Sequence, residues 1–314
     1  MSEGPLDRRG ALTTRAALAS VAVALFLLIL KVYAALATGS VAMLGSLADT
    51  GLDLIASLVT LFGVRVAAMP ADREHRFGHG KAEALAALAQ IVLISISAIG
   101  IGWRAVERLI HGEGTANAEY GIAVSAVAIL ATLALVSYQR SVIRRTGSVA
   151  IRTDNVHYQS DLLLNLSVIV ALVLDQYFGF TGADPAFGLA IAAWLIWGAW
   201  RASSHALDQL MDREWPEEKR MQFLAVASSR PEARGIHDLR TRSSGSHDFA
   251  QFHIWVDPEM TVEAAHEVVE AIETDLAAEF PGCEVLIHLD PEGQVDHPGD
   301  LLREVDETKE AIPE

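Results

Sequence analysis

Two pairs of polar residues stand where apolar ones are expected. Asp49 and Asp53 lie in an apolar stretch at about 41–66, and His157 and Asp161 lie in a second at about 153–174. Both pairs are spaced i, i+4, which on a helix puts the partners on one face, a turn apart. A carboxylate at membrane depth costs about 2.5–3.5 kcal/mol, and two on one face also repel each other. Helix caps or interhelical polar contacts are the plainer reading of either pair. Taken together, two helices offering two ligands each can close a four-ligand site without any loop. Three carboxylates and one imidazole give a tetrahedral cage suited to Zn²⁺. Ligands must lose protons to bind metal, so metal and protons compete. The imidazole of His157, with an ordinary pKa of about 6.5, changes charge in the physiological range. Metal/proton exchange is the chemistry that this set permits. Ser46 and Asn165 extend the same faces by a turn, as hydrating groups or as ordinary helix polar residues.

A second cluster sits between the apolar stretches. In Asp72-Arg73-Glu74-His75-Arg76-Phe77-Gly78-His79-Gly80-Lys81, a turn would let Asp72, His75 and His79 meet on one metal. A solvated polar loop is the alternative. The His-x-x-x-His spacing also occurs in the histidine boxes of membrane di-iron hydroxylases, but those need several boxes and no other such pair flanks a span. With no His-Glu-x-x-His present, an intramembrane zinc protease has no support.

These residues need elements that hold them at depth. A helix crosses the hydrocarbon core with about 20 apolar residues. Six stretches qualify, at about 15–37, 41–66, 83–110, 118–139, 153–174 and 184–206. The connections 38–40, 111–117 and 175–183 contain no Lys or Arg, whereas the opposite side carries Arg8, Arg9, Arg15, Arg65, Arg73, Arg76, Lys81, Arg140, Arg144, Arg145 and Arg152. The positive-inside rule then puts both termini in the cytoplasm, as an even number of spans requires, in a plasma (inner) membrane. A cleaved signal peptide is the competing reading of the first stretch. The run is long for one, and cleavage would leave an odd number of spans. Lys31, near the outer end of span 1, is expected to snorkel to the interface.

Composition divides the chain at one place. Residues 1–207, the transport domain, hold 15 Lys/Arg against 14 Asp/Glu; residues 208–314 hold 9 against 26, and the whole chain is at −16. An acidic soluble part does not suit nucleic acid, which needs basic patches. A single cysteine, Cys283, excludes an internal disulfide framework and a thiolate-rich zinc site. Within 208–292 the pattern predicts a helix at 216–230, a hairpin of 236–244 and 249–257, an amphipathic helix at 261–280 and a strand at 284–290. This is an α+β sandwich of order α-β-β-α-β. His237, His253, His266 and His288 come from different elements, and Asp290 shares a strand face with His288. Together they can hold one or two ions; scattered surface histidines are the alternative. His205 and His247 fit no motif. The tail 293–314 is acidic and proline-spotted, with the composition of a disordered segment.

Six spans, Asp49-x-x-x-Asp53, His157-x-x-x-Asp161 and Phe77-Gly78-His79-Gly80-Lys81 together resemble the cation diffusion facilitator family, in its bacterial zinc/iron efflux branch, over about residues 10–292. The resemblance implies a homodimer in the lipid bilayer that exchanges cytoplasmic metal for external protons, and not an enzyme. It implies a transport site of Asp49, Asp53, His157 and Asp161, and a loop site of Asp72, His75 and His79. It also implies a binuclear zinc site of His237, His253, His266, His288 and Asp290 at a cytosolic dimer interface of metallochaperone-like, ferredoxin-like fold. Lys81 and Asp212 would form a dimer-stabilising salt bridge, with ordinary surface charges as the alternative. The Asp/Asp/His/Asp set resembles members handling Zn²⁺ and Cd²⁺. Fe²⁺ or Mn²⁺ as the main substrate, or a membrane metal sensor without transport, are the rivals.

Overall fold

The computed structural model describes residues 5–38, 41–111, 118–178, 182–245 and 247–292. The described residues divide into two compact units, one of Asp7–Leu207 and one that holds Asp208 to Glu292. The first is all helix: α1 (Pro5–Thr38), α2 (Val41–Ala67), α3 (Ala82–His111), α4 (Ala118–Thr146), α5 (Val149–Phe178) and α6 (Ala183–Leu210). Among the described residues, five of these six are long and apolar enough to cross a membrane. The remaining helix, α5, matches them in length at 30 residues but carries the polar run Thr153–Asp161 in its first half. The six expected spans therefore fall on six helices, most of which extend a turn or more beyond the apolar stretch.

The outer surface of this unit is apolar. Leu36, Phe62, Trp103 and Trp200 are each more than 70% exposed, as side chains facing lipid are and as core side chains of a water-soluble bundle are not. Between the helices small residues bring the backbones close. A Cβ on Gly63 of α2 would lie 2.2 Å from the Ala86 Cβ of α3, so only glycine fits there. Ile91, Ile94 and Ala98 of α3 pack on Ile191, Leu195 and Ala199 of α6.

A fully buried carboxylate ties four helices together. Asp154 of α5 accepts hydrogen bonds from Ser20 Oγ of α1 (2.6 Å), Gln90 Nε2 of α3 (2.7 Å) and Gln139 Nε2 of α4 (2.7 Å). Asn155 Nδ2 donates to Gln139 Oε1 at 2.9 Å, and Tyr158 Oη donates to the Ser20 carbonyl at 3.0 Å. With no water in the hydrocarbon core to solvate it, a carboxylate persists there only where donors of this kind surround it. The network sits one turn from His157 and fixes the helix that carries it.

The second unit contains α7 (Glu217–Ala227), β1 (Arg234–Ser244), β2 (His247–Val256), α8 (Val262–Glu279) and β3 (Cys283–Pro291), the order expected from the sequence. Thr261 caps α8 by accepting from the Ala264 amide. The sheet order is β1-β2-β3, with β1 antiparallel and β3 parallel to β2. The crossover through α8 is what makes the last pairing parallel. Both helices close over a core of Phe223, Ile236, Phe252, Ile254, Ile272 and Leu276.

Candidate metal sites

Among the described residues, three groups of acidic and histidine side chains bring ligand atoms within 4.8 Å of one another. The deepest joins α2 and α5. His157 Nε2 lies 3.1 Å from Asp53 Oδ1 and 3.8 Å from Asp161 Oδ2. That nitrogen is buried and makes no aligned hydrogen bond, although oxygens flank it. An imidazole nitrogen facing two carboxylates is a donor arrangement that a divalent cation can fill. The i, i+4 step on α5 puts His157 and Asp161 on one face, as the spacing predicts.

Asp49 is not in this group. It lies one turn from Asp53 on α2, but its carboxylate meets Arg104 of α3, with Nη1–Oδ2 and Nη2–Oδ1 both 3.4 Å. The structure thus brings together three of the four expected ligands and turns the fourth to a cation. A cavity of about 400 Å³ connects the two arrangements, lined by Asp49, Arg104, His157, Asp161, Arg108 and Asp184 among others. Asp184 and Pro185 start α6 and Arg108 is near the end of α3, so the cavity runs from His157 toward the end of the bundle that carries the α3–α4 and α5–α6 connections. Arg108 and Asp184 form their own ion pair there, Nη1 to Oδ2 at 2.5 Å. The sequence reading passed over Arg104, Arg108 and Asp154. Charged residues inside an apolar stretch were the available signal, the same one that singled out Asp49 and Asp53. Of the groups adjoining the site, Asn165 Nδ2 donates to the Asp161 carbonyl at 2.7 Å, a bond within the helix, and Lys31 Nζ donates to Thr50 Oγ1 at 2.6 Å. The side chain of Ser46 lies outside the described residues.

The second group occupies the loop between α2 and α3. Asp72 Oδ1 accepts from the amides of His75 (2.7 Å) and Glu74 (2.9 Å), closing a turn. The bond from the His75 amide, foremost, holds the Asp72 carboxyl below its usual pKa. Gly78, at φ +78°, reverses the chain so that His79 returns toward Asp72. His79 Nε2 is then 3.4 Å from Asp72 Oδ2, and the two histidine rings are 4.5 Å apart. His79 Nδ1 is buried without a hydrogen-bond partner, which fits a metal ligand better than a solvated loop.

The third group spans the sheet of the second unit. His237 of β1, His253 of β2 and Asp290 of β3 meet across three strands. Asp290 Oδ2 lies 2.8 Å from His253 Nδ1 and 3.4 Å from His237 Nε2. The register sets this up, since His237 pairs with His253, and His253 with His288. His237 Nδ1 is 2.6 Å from the Gly235 carbonyl, so it carries the ring proton and leaves the Nε2 lone pair toward Asp290. Gly235, at φ +52°, lies where a Cβ would strike the Trp255 ring at 2.1 Å. His288 adjoins the group, with Nε2 3.4 Å from Asp290 Oδ1 and its ring 4.6 Å from that of His253. His266 is not brought in; it is exposed on α8, 3.4 Å from Glu270 Oε1. Asp238, at φ +49°, faces His253 Nε2 at 3.7 Å, a neighbour the sequence reading did not pick out. Two imidazoles and a carboxylate around one point suit a resident Zn²⁺. Asp212 of this unit lies 3.6 Å from Arg242. His297 and the tail lie outside the described residues.

Comparison with known proteins places the chain in a family. Residues 17–211 match the Cation efflux transmembrane domain and residues 215–292 the Cation efflux protein, cytoplasmic domain. The chain is 42% identical to the cation-efflux pump FieF of Cronobacter sakazakii, over 92% of this chain and 98% of that one. It is 45% identical to FieF of Serratia proteamaculans, over 89% and 93%. Among solved structures it is similar to the metal-bound C-terminal domain of the CzcD transporter from Thermotoga maritima, at 29% identity over 26% of this chain and 99% of that domain, with a TM-score of 0.25. With both domain models matched in order and relatives aligned over most of the chain, the chain is a member of the cation efflux, or cation diffusion facilitator, family of divalent-metal transporters.

Proposed function

We propose that this protein is a homodimeric antiporter that exports Zn²⁺ from the cytoplasm in exchange for protons, with both termini cytosolic in the plasma membrane. The observation that carries this reading is the Asp53, His157 and Asp161 group, whose ligand atoms converge beside a cavity. Two carboxylates and an imidazole are borderline-hard donors that suit Zn²⁺ and Cd²⁺. Asp49 is the fourth ligand, one turn along α2, and joins when the helices close on the ion.

The chemistry follows from the donors. Metal displaces protons from His157 and the carboxylates, and protons return as metal leaves. The cavity runs toward the end of the bundle opposite the loop of Asp72, His75 and His79. With the termini cytosolic, that end is external, so the conformation is open to the outside. The name of the FieF relatives, cation-efflux pump, agrees with outward movement. Zn²⁺ resident on His237, His253 and Asp290 would tie three strands together and stabilise the unit that pairs the protomers. His288 and His266 complete that site when a second subunit is present, and Lys81 and Asp212 pair to brace the dimer. The loop group of Asp72, His75 and His79 holds a second cytosolic-side ion.

Zn²⁺ flux into proteoliposomes under an imposed pH gradient tests this, comparing wild type with Asp53→Ala. Flux that follows the gradient and vanishes in the variant is expected. A reconstituted dimer that moves none of Zn²⁺, Cd²⁺, Fe²⁺ and Mn²⁺ ends the proposal, and Fe²⁺ flux far exceeding Zn²⁺ flux changes its substrate.

A further inference from the structure

We propose that Arg104 is a built-in competitor of the metal for Asp49: its guanidinium takes the carboxylate when the cavity is open and so favours release of the ion. The inference rests on the transport site described above and concerns how that site lets go.

The geometry is specific. Asp49 and Asp53 are one turn apart on α2, yet only Asp53 faces His157. Asp49 meets both terminal nitrogens of Arg104, from the wall of the same cavity. Each side chain is about half exposed and lines that cavity, so the pair is not locked in the core. Arg108, one turn further along α3, is engaged with Asp184 at 2.5 Å, which leaves Arg104 to serve Asp49. Lys31, the nearby cation of α1, donates to Thr50. A guanidinium stays charged at all physiological pH and grips a carboxylate with two parallel donors. It can therefore neutralise Asp49 when no metal does.

The consequence is competition. A divalent cation and a guanidinium at contact distance of one carboxylate repel each other, so each weakens the other's hold on Asp49. Closing the four-ligand site then favours release of Arg104, and opening it returns Asp49 to Arg104 as the ion departs. Removing the competitor should make metal bind more tightly, an effect opposite in sign to ordinary structural damage.

The test is Zn²⁺ affinity by titration calorimetry on the full-length dimer in detergent. A parent with Asp72→Ala and Asp290→Ala leaves the transport site as the measured site. Arg104→Gln is expected to lower the Kd about tenfold. Arg104→Lys, which keeps the charge but loses the two-point grip, should fall between the parent and Arg104→Gln. An Arg104→Gln dimer that binds Zn²⁺ equally or more weakly overturns the proposal. If Arg104→Gln does not yield a monodisperse dimer, Arg104→Lys decides, since affinity equal to or below the parent's also overturns it. A parent whose Zn²⁺ binding is insensitive to Asp53→Ala fails differently, because the transport site itself is then wrong.

Discussion

Asp53, His157 and Asp161 stand on two helices, whereas His237, His253 and Asp290 stand on three paired strands. Both groups use carboxylate and imidazole, and both hold their ligand atoms within 4.8 Å. Their supports differ. In the sheet, the positions of His237, His253 and His288 are set by backbone pairing, and the His237 ring is tethered to the Gly235 carbonyl. Nothing there can slide without breaking the ladder. In the bundle, α5 is anchored by Asp154 to α1, α3 and α4, while α2 meets it at the buried Ser57–Tyr158 hydrogen bond of 2.7 Å and, beyond His157, borders the cavity. A helix face has no ladder to fix it, and here Asp49 faces Arg104 while Asp53, one turn away, faces His157. On the proposed reading, the sheet site keeps its ion and the helix site exchanges it.

Changing one histidine in each group should separate the two roles. His157→Ala is expected to lower Zn²⁺ flux into proteoliposomes by about two orders of magnitude, whereas His237→Ala should lower it by less than about tenfold. Equal losses would mean that both ions take part in the transport step. The anchor comes next. Replacing Asp154 with Leu takes away the acceptor shared by Ser20, Gln90 and Gln139; Ser20 keeps the Ala16 carbonyl and Gln139 keeps Ser20 Oγ, so Gln90 bears the full cost of a buried unsatisfied donor, about 1–3 kcal/mol, with smaller losses at the other two. Asp154→Leu should therefore fail to give a stable dimer in detergent, while Asp154→Asn, which keeps the shape and one acceptor, should survive with a lowered Tm. A leucine variant that melts like wild type would show that the network does not hold α5.

The sheet site is probed by ligand-linked stability. Zn²⁺ at 100 times its Kd stabilises the folded unit by about 2.7 kcal/mol. For a unit of this size, that raises Tm by about 10 °C or more. Asp290→Ala, which removes the carboxylate shared by His237 and His253, should abolish most of the Zn²⁺-dependent rise in the melting of this unit. A rise retained in full would place the stabilising ion elsewhere.

Much of this comparison was legible in the sequence, for reasons that also explain what was not. The helices are read from long apolar runs, and the α-β-β-α-β order from period and punctuation, because those signals are local. His157 and Asp161 are read from an i, i+4 spacing that one helix enforces. What a residue meets on another element is not local. Ser20, Gln90, Gln139 and Asp154 are scattered over more than a hundred positions, and no spacing rule joins them. The partner of Asp49 is 55 residues away on α3, so the spacing that placed it beside Asp53 could not show that Arg104 draws it aside. His266 failed to join the sheet group because the exposed face of α8 that carries it points away from the strands within one chain. The parallel pairing of β2 with β3 depends on a crossover, which strand patterns alone do not specify.

The smallest effect concerns the carboxy-terminal unit alone, at the contact between its two helices. Arg230, after α7, donates from Nε and Nη2 to the Asp275 carboxylate of α8, at 2.5 and 3.0 Å. This fork holds the Asp275 carboxyl below its ordinary pKa, and Asp275 in turn raises that of Arg230. A carboxylate whose pKa is lower in the folded chain than in the unfolded one stabilises the fold above the unfolded value, about 3.9. That contribution disappears as pH falls through the folded value. Asp275→Asn should therefore melt below wild type at pH 6, by about 1–2 °C for so exposed a pair, and level with it near pH 2. Raising the salt to about 1 M should shrink the difference at pH 6, since both groups are reached by solvent. A gap that stays constant from pH 6 to pH 2 would mean that the variant disturbs packing between α7 and α8 instead of removing a charge pair.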